Sequence, residues 1–313
     1  MTTPAFDPSA NQLPPLRLDV ALAPQWASAG PRASTGHPYA NAPRGDTVFI
    51  VVDVIRATTS LCVLFEYGAG AVLVAPDVAM MRESRLMIDR RLDQDDGPCV
   101  LLAGEVGGAR PDGFDYGNSP TELARAPLEG RSVLFATTNG TRAIRACAGG
   151  RAILAGALRN AQAVAAAALD ALPPSNAPEP AHSTDVDEDE DEQLDIVIVC
   201  SGRGDRPAYD DTICTGYILR RLLDAAAARG RAVALESGAQ IALATLAGVE
   251  ARGGIRAALA QSGAYRAIER LGLAADLDWC AATDVTEVVP RVVEYLPDHD
   301  LVVMRSPGDG REK

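Results

Sequence analysis

One pattern dominates the chain. An apolar run of four to seven residues, in several cases unbroken, ends in a polar corner rich in Gly, Asn or Thr, then gives way to a longer Ala/Leu/Arg stretch with helical spacing. Runs of this kind lie at Leu16–Ala21, Thr47–Asp53, Ala71–Ala75, Cys99–Gly104, Ser132–Ala136, Ala152–Ala155, Asp195–Cys200 and Leu301–Met304. Strands that are continuously Val/Ile/Leu, not alternating, have both faces covered, which in soluble proteins means helices on both sides of the sheet. The pattern predicts a three-layer α/β/α fold with a largely parallel or mixed sheet, arranged as two subdomains flanking a cleft.

The chain divides into an N-terminal α/β part (1–172), an acidic, proline-containing insertion (173–193) and a C-terminal α/β part (194–313), forming one catalytic unit. The insertion lacks apolar residues to offset the entropy of ordering and is expected to be disordered. Residues 24–45 form a second polar excursion, and no period of 20–50 residues marks a repeat fold. With 29 basic against 42 acidic residues the net charge is −13, which repels nucleic acid and anionic membranes. Seven of the acids fall in Asp185–Glu192, so the body is only mildly acidic. No run is long enough for a membrane helix, the first residues carry no signal-peptide pattern, and six scattered cysteines without a CxxC pair suit a reduced, cytoplasmic protein.

In an open α/β sheet, ligands collect where strands end and helices begin. Four corners are unusually polar. In the first, Asp53 closes an apolar run and Arg56, Thr58 and Thr59 follow; Asp53 can hold a cation, attack phosphorus or cap a helix, and Arg56 can grip phosphate or be solvated. The second gathers Glu105, Asp115, Asn118 and Ser119, hard-cation or phosphate ligands, although Ser119-Pro120 with Glu122 also reads as a helix start. The third, Thr137 to Arg142, brings Thr138, Asn139, Gly140, Thr141 and Arg142 to a strand-turn-helix junction, an anion nest.

The fourth corner runs from Cys200 through Ser201, Gly202 and Arg203 to Asp210 and Asp211. Cys200 and Arg206 have the C-x5-R spacing of cysteine phosphatases, and the paired acids suit a divalent cation, acid–base chemistry or a helix dipole. His37, His182 and His299 lie outside all four corners, which disfavours a histidine base.

Taken together, DVIRATTS, GEVGGARPDGFDYGNSPTEL, TTNGTR and CSG with the following DD-x2-C-x-G resemble the 2-phosphosulfolactate phosphatase family over roughly residues 16–306. The resemblance implies a Mg²⁺-dependent phosphomonoesterase that converts 2-phosphosulfolactate to 3-sulfolactate and phosphate. The expected catalytic groups are Asp53, Arg56, Glu105 and Asp211. Metal ligands are expected among Asp53, Glu105, Asp115, Asp210 and Asp211. Phosphate and substrate contacts are expected from Thr58, Thr59, Asn118, Ser119, Thr138, Asn139, Gly140, Thr141, Arg142, Ser201, Gly202 and Arg203.

The partner is a small anionic phosphate ester, and a homodimer is compatible with the pattern. Attack by metal-assisted water and attack by Asp53 or Cys200 are both open. Residue 55 is Ile, so the D-x-D pair of haloacid-dehalogenase phosphatases is absent. The Arg-Gly-Asp-Arg-Pro stretch after Ser201 departs from the family pattern. Alternatives are a phosphatase for another small phospho acid, or a non-catalytic anion-binding or assembly protein; a nucleotide-dependent transferase would need a phosphate-binding glycine loop that these corners lack.

Overall fold

The strands follow the apolar runs closely: β1 Leu16–Ala21, β2 Val48–Val52, β3 Ala71–Val74, β4 Leu101–Gly104, β5 Ser132–Ala136, β6 Ala152–Gly156, β7 Ile196–Cys200, β8 Val233–Leu235, β9 Arg291–Leu296 and β10 Leu301–Arg305. The computed structural model describes residues 14–23, 44–75, 77–81, 100–173, 194–204, 206–296 and 301–306. Residues 174–193 of the acidic insertion, residues 24–43, Cys99 and all three histidines lie outside the described residues.

The ten strands form one sheet in the order β4-β5-β3-β10-β9-β6-β2-β7-β1-β8. Two parallel blocks, β4-β5-β3 and β6-β2-β7-β1-β8, are joined through β10 and β9. β10 pairs antiparallel with both β3 and β9, and β9 pairs antiparallel with β6. The two blocks therefore run in opposite senses, giving a mixed, mostly parallel sheet. β8 and β9 were not expected from the sequence.

The helices relevant below are α1 Ala57–Glu66, α2 Pro120–Leu123, α3 Gly140–Ala146, α4 Ala161–Asp170, α5 Tyr209–Ala228, α6 Ser237–Glu250, α7 Ile255–Leu259, α8 Gly263–Arg270 and α9 Asp276–Ala281. Successive strand residues point to opposite faces, and here both faces are dry. Ile50 and Val52 of β2, with Ile196 and Ile198 of β7, pack under α4, α5 and α6. Val51, Val197 and Val199 instead join a second core that contains Leu61 and Leu64 of α1, Ile144 of α3, and Val72, Val133 and Phe135 of the other block.

This second core sets the position of the site. It is shared by both blocks through α1 and α3, so the corner after β5 is packed against the corner after β2. Gly140 makes that approach possible: a Cβ there would lie 2.6 Å from Ala57 Cβ and 2.9 Å from Asp53 Oδ2. Among the described residues no helix is long and apolar enough to cross a membrane.

Candidate active site

Asp53 follows β2, and α1 starts four residues later without a side-chain cap at its first position. The Ala57 N–H donates to Asp53 Oδ1 at 3.3 Å. Thr58 and Thr59 direct their hydroxyls to the carbonyls of Asp53 and Val54, at 3.0 and 2.8 Å. Both threonines are fully buried and fix the turn; neither lines the cleft described below. Short hydroxyl side chains at helix starts readily bond local backbone in this way.

Arg56 is committed inside the protein. Its Nη1 donates to Asp276 Oδ2 at 2.9 Å and its Nη2 to the Gly108 carbonyl at 2.8 Å. Asp276 also accepts from the Ser119 hydroxyl at 2.6 Å, tying the first corner to the second. Ser119 caps α2, accepting from the Glu122 N–H, with Pro120 at the first helical position. The helix-start reading of Ser119 is what the geometry displays.

Two carboxylates brace pairs of loops. Glu105 accepts the Thr138 N–H at 2.7 Å on Oε1 and the Gly108 N–H at 2.5 Å on Oε2, joining the corners after β4 and β5. Asp211 accepts the Val54 N–H on Oδ1 and the Gly202 N–H on Oδ2, each at 3.0 Å, joining those after β2 and β7. Backbone amide capture by buried acids therefore ties these loops together in pairs.

A cleft of about 430 Å³ opens where the four corners meet. Asp53, Arg56, Glu105, Asn118, Thr138, Asn139, Arg142, Gly202, Arg203, Asp210 and Asp211 all line it. Ser119, Gly140, Thr141 and Ser201 support it from behind and do not line it. Thr141 instead exchanges hydrogen bonds with Thr137. Asp115 stands apart: it is exposed, and its Oδ2 accepts the Leu102 N–H at 2.8 Å on the flank of β4.

Crowding acids in a poorly hydrated pocket raises the cost of ionising them. Burial pushes Asp53 up to about 7, with the charges of Glu105 and Asp210 adding to it against the Ala57 N–H. Burial pushes Asp210 up to about 6, its own backbone hydrogen bond and Arg203 opposing. Asp211 is raised well above the usual carboxylate range by burial, Asp210 and Asp53. Arg142 and Arg203 are exposed on the cleft and have no ion pair among the described residues. The sum is a cleft with acids that resist ionising and two guanidinium groups that form no ion pair among the described residues, Arg203 acting on Asp210 only at longer range.

The profile of the 2-phosphosulpholactate phosphatase family matches residues 36–295. The chain belongs to that family. Curated relatives of the phosphatase family include a protein of Deinococcus radiodurans, 35% identical over 247 residues, covering 79% of this chain and 88% of its own. Another, from Thermus thermophilus, is 35% identical over 244 residues, covering 78% and 86%. Both are named "Probable 2-phosphosulfolactate phosphatase". The family is one of phosphoric monoester hydrolases.

Several groups of this phosphatase-family cleft escaped the sequence reading: Gly107 and Gly108, Tyr209, the α8 face formed by Gly263, Ala264, Ala267 and Ile268, and, behind the lining, Asp276, which holds Arg56. Small residues at helical spacing carry no chemical signature, and Asp276 reads from the sequence as a solvated helix-start acid. Cys200 lies on β7 away from the cleft, with its sulfur 3.3 Å from Thr215 Oγ1, and burial pushes its thiol up.

Proposed function

We propose that this chain is a Mg²⁺-dependent phosphomonoesterase that hydrolyses 2-phosphosulfolactate to 3-sulfolactate and phosphate. The observation that carries this reading is the gathering, in one cleft, of Asp53, Asp210 and Asp211 with Arg142 and Arg203, two arginines that form no ion pair among the described residues. Family membership supports the substrate class. The five described cysteines are buried and free, which supports a cytoplasmic setting.

The donor set suits magnesium. Among the described residues no three His, Cys, Asp or Glu side chains are gathered as a ready metal cage. Magnesium commonly uses one or two carboxylates and completes its shell with water and substrate phosphate. Asp210 and Asp211, at the start of α5, would hold it, and the cation would offset the burial that raises the proton affinity of both carboxyls. When bound, the cation neutralises charge on the phosphoryl group and polarises its ester oxygen.

The chain's own groups account for the remaining work. Arg142 and the backbone N–H of Asn139 bind phosphoryl oxygens, and this positioning and charge neutralisation form most of phosphoryl-transfer catalysis. Asp53 Oδ2, free of hydrogen bonds among the described residues, accepts a proton from the attacking water as the new P–O bond forms and the ester P–O bond breaks. The leaving oxygen takes a proton from solvent and departs as the alcohol of 3-sulfolactate, and Asp53 returns its proton to solvent. A carboxylate near pH 7 is well matched to that role. Cys200 is not favoured as nucleophile, because it is buried off the cleft and its thiolate is disfavoured.

Assay of purified protein on a panel of small phosphate esters, with Mg²⁺ and with chelator, tests the reading. Phosphate release that needs Mg²⁺ and is fastest with 2-phosphosulfolactate supports it; no release from any ester overturns it.

A further inference from the structure

α8 begins at Ser262, whose side chain accepts the Tyr265 N–H at 3.0 Å and whose carbonyl accepts the Arg266 N–H at 3.2 Å. The first two residues of α8, Gly263 and Ala264, precede those bonds, and both line the cleft. Helix starts of this kind present backbone N–H groups that an anion can take.

Arg203 lies across this helix start. A Cβ built on Gly263 would sit 3.0 Å from Arg203 Nη1. Gly263 has ordinary helical backbone, so what the glycine supplies here is room for the tip of Arg203 and not conformational freedom. The guanidinium occupies the room the missing side chain leaves, and no carboxylate pairs with it among the described residues. A further, independent group points to a ligand in the same cleft. Asn118 is only 4% exposed, lines the cleft, and its Oδ1 has no hydrogen-bond partner among the described residues.

Arg142 sits elsewhere, in the first turn of α3 beside the Thr138–Asn139 corner. The cleft thus offers two exposed cations on two different corners, neither in an ion pair among the described residues, which suits a substrate bearing a second acid group besides its phosphate. We infer that Arg203, seated on Gly263 and aided by the N–H groups opening α8, is the subsite for the non-transferred acid group of the substrate, a carboxylate or a sulfonate. This rests on the phosphomonoesterase reading above and deepens it: Arg142 serves the phosphoryl group, Arg203 sets selectivity for phospho acids over simple phosphate esters. Gly263 acts as a positioning residue through Arg203.

The test compares kcat/KM for 2-phosphosulfolactate, 2-phosphoglycerate and glycerol 2-phosphate, with wild type, Gly263→Val and Arg203→Met. The expected result is a fall of at least tenfold in the preference for an acid-bearing ester over glycerol 2-phosphate, in both variants. A loss confined to 2-phosphosulfolactate assigns the subsite to sulfonate; a loss that includes 2-phosphoglycerate assigns it to carboxylate. Proportional loss on all three esters, or an unchanged preference, overturns the inference.

Calorimetric titration with 3-sulfolactate and with inorganic phosphate separates this inference from the hydrolase reading. The ratio of the two affinities should fall at least tenfold in Arg203→Met. If wild type hydrolyses no ester but that ratio still falls, the subsite stands and the hydrolase reading fails. If the ratio is unchanged while wild type turns over, the subsite fails alone.

Discussion

Arg56 and Asp276, 220 residues apart in sequence, form an ion pair at 2.9 Å with side chains only 2% and 1% exposed. Arg56 is thereby oriented over Gly108, and Asp276 reaches on to Ser119, so a single buried pair fastens α9 to two corners of the cleft. Removing one partner leaves an unpaired buried charge, which costs more than the pair contributes. Asp276→Asn is expected to destabilise the protein by about 3–5 kcal/mol in denaturant titration, whereas Arg56→Met with Asp276→Leu recovers a large part of that loss. A single variant as stable as wild type contradicts this account of the pair.

The raised proton affinity of Asp53 makes stability depend on pH in a defined direction. Between its unfolded value of 3.8 and its folded value of about 7, the folded chain retains a proton that the unfolded chain releases. Its contribution to stability is therefore lost progressively as pH rises across that window. In chelator, Asp53→Asn should match wild type below pH 4 and exceed it increasingly up to pH 8, by about 1–3 kcal/mol. A difference in melting temperature that is flat with pH, or that favours wild type at pH 8, removes the cause assigned here.

Cys200 provides the discriminating variant for the nucleophile. Cys200→Ala removes a buried sulfur and its contact with Thr215, at a stability cost of about 1 kcal/mol. Phosphate release is expected to stay within about fivefold of wild type, because mutations off the reacting atoms spare the transition state. A loss of about 10³-fold or more with the fold intact reinstates a phosphocysteine.

Gly140 tests how closely the two blocks must meet. An alanine there would place its Cβ 2.6 Å from Ala57 Cβ and 2.9 Å from Asp53 Oδ2. Relief requires α3 to retreat, carrying Arg142 with it. Overpacking of this sort costs about 1–3 kcal/mol, and kcat should fall more steeply than stability. Wild-type kinetics in Gly140→Ala would show that the approach of α3 to Asp53 is not needed.

The strand runs were legible because β2 and β7 are buried on both faces, leaving continuous apolar residues that no helix or loop reading accommodates. β9 was not, since Arg291–Leu296 (RVVEYL) neither alternates nor forms a continuous apolar run, has no buried residue, and gains its place by antiparallel pairing with β10 and β6. β8 has three residues and continues an Ala/Arg-rich helical stretch, so period gives it no signature.

The four corners were legible because each follows an apolar run directly; that α1 and α3 pack the two opposed blocks together, so that the corners meet, was not. What each side chain does there was less so. Thr58, Thr59 and Thr141 look like anion donors in sequence, yet their hydroxyls close local turns. Asp115 looks like a ligand and holds a strand edge. The roles of Asp276 and Gly263 arise only from contacts across long sequence separations.

The most direct test of the cleft as the site of phosphate-ester hydrolysis is single-substrate kinetics on 2-phosphosulfolactate with wild type and Asp53→Asn, in Mg²⁺ and in chelator. Wild type should release phosphate only with the cation present, and Asp53→Asn should lose at least about 10²-fold in kcat while remaining folded. Turnover in Asp53→Asn equal to that of wild type would contradict the assignment of this cleft.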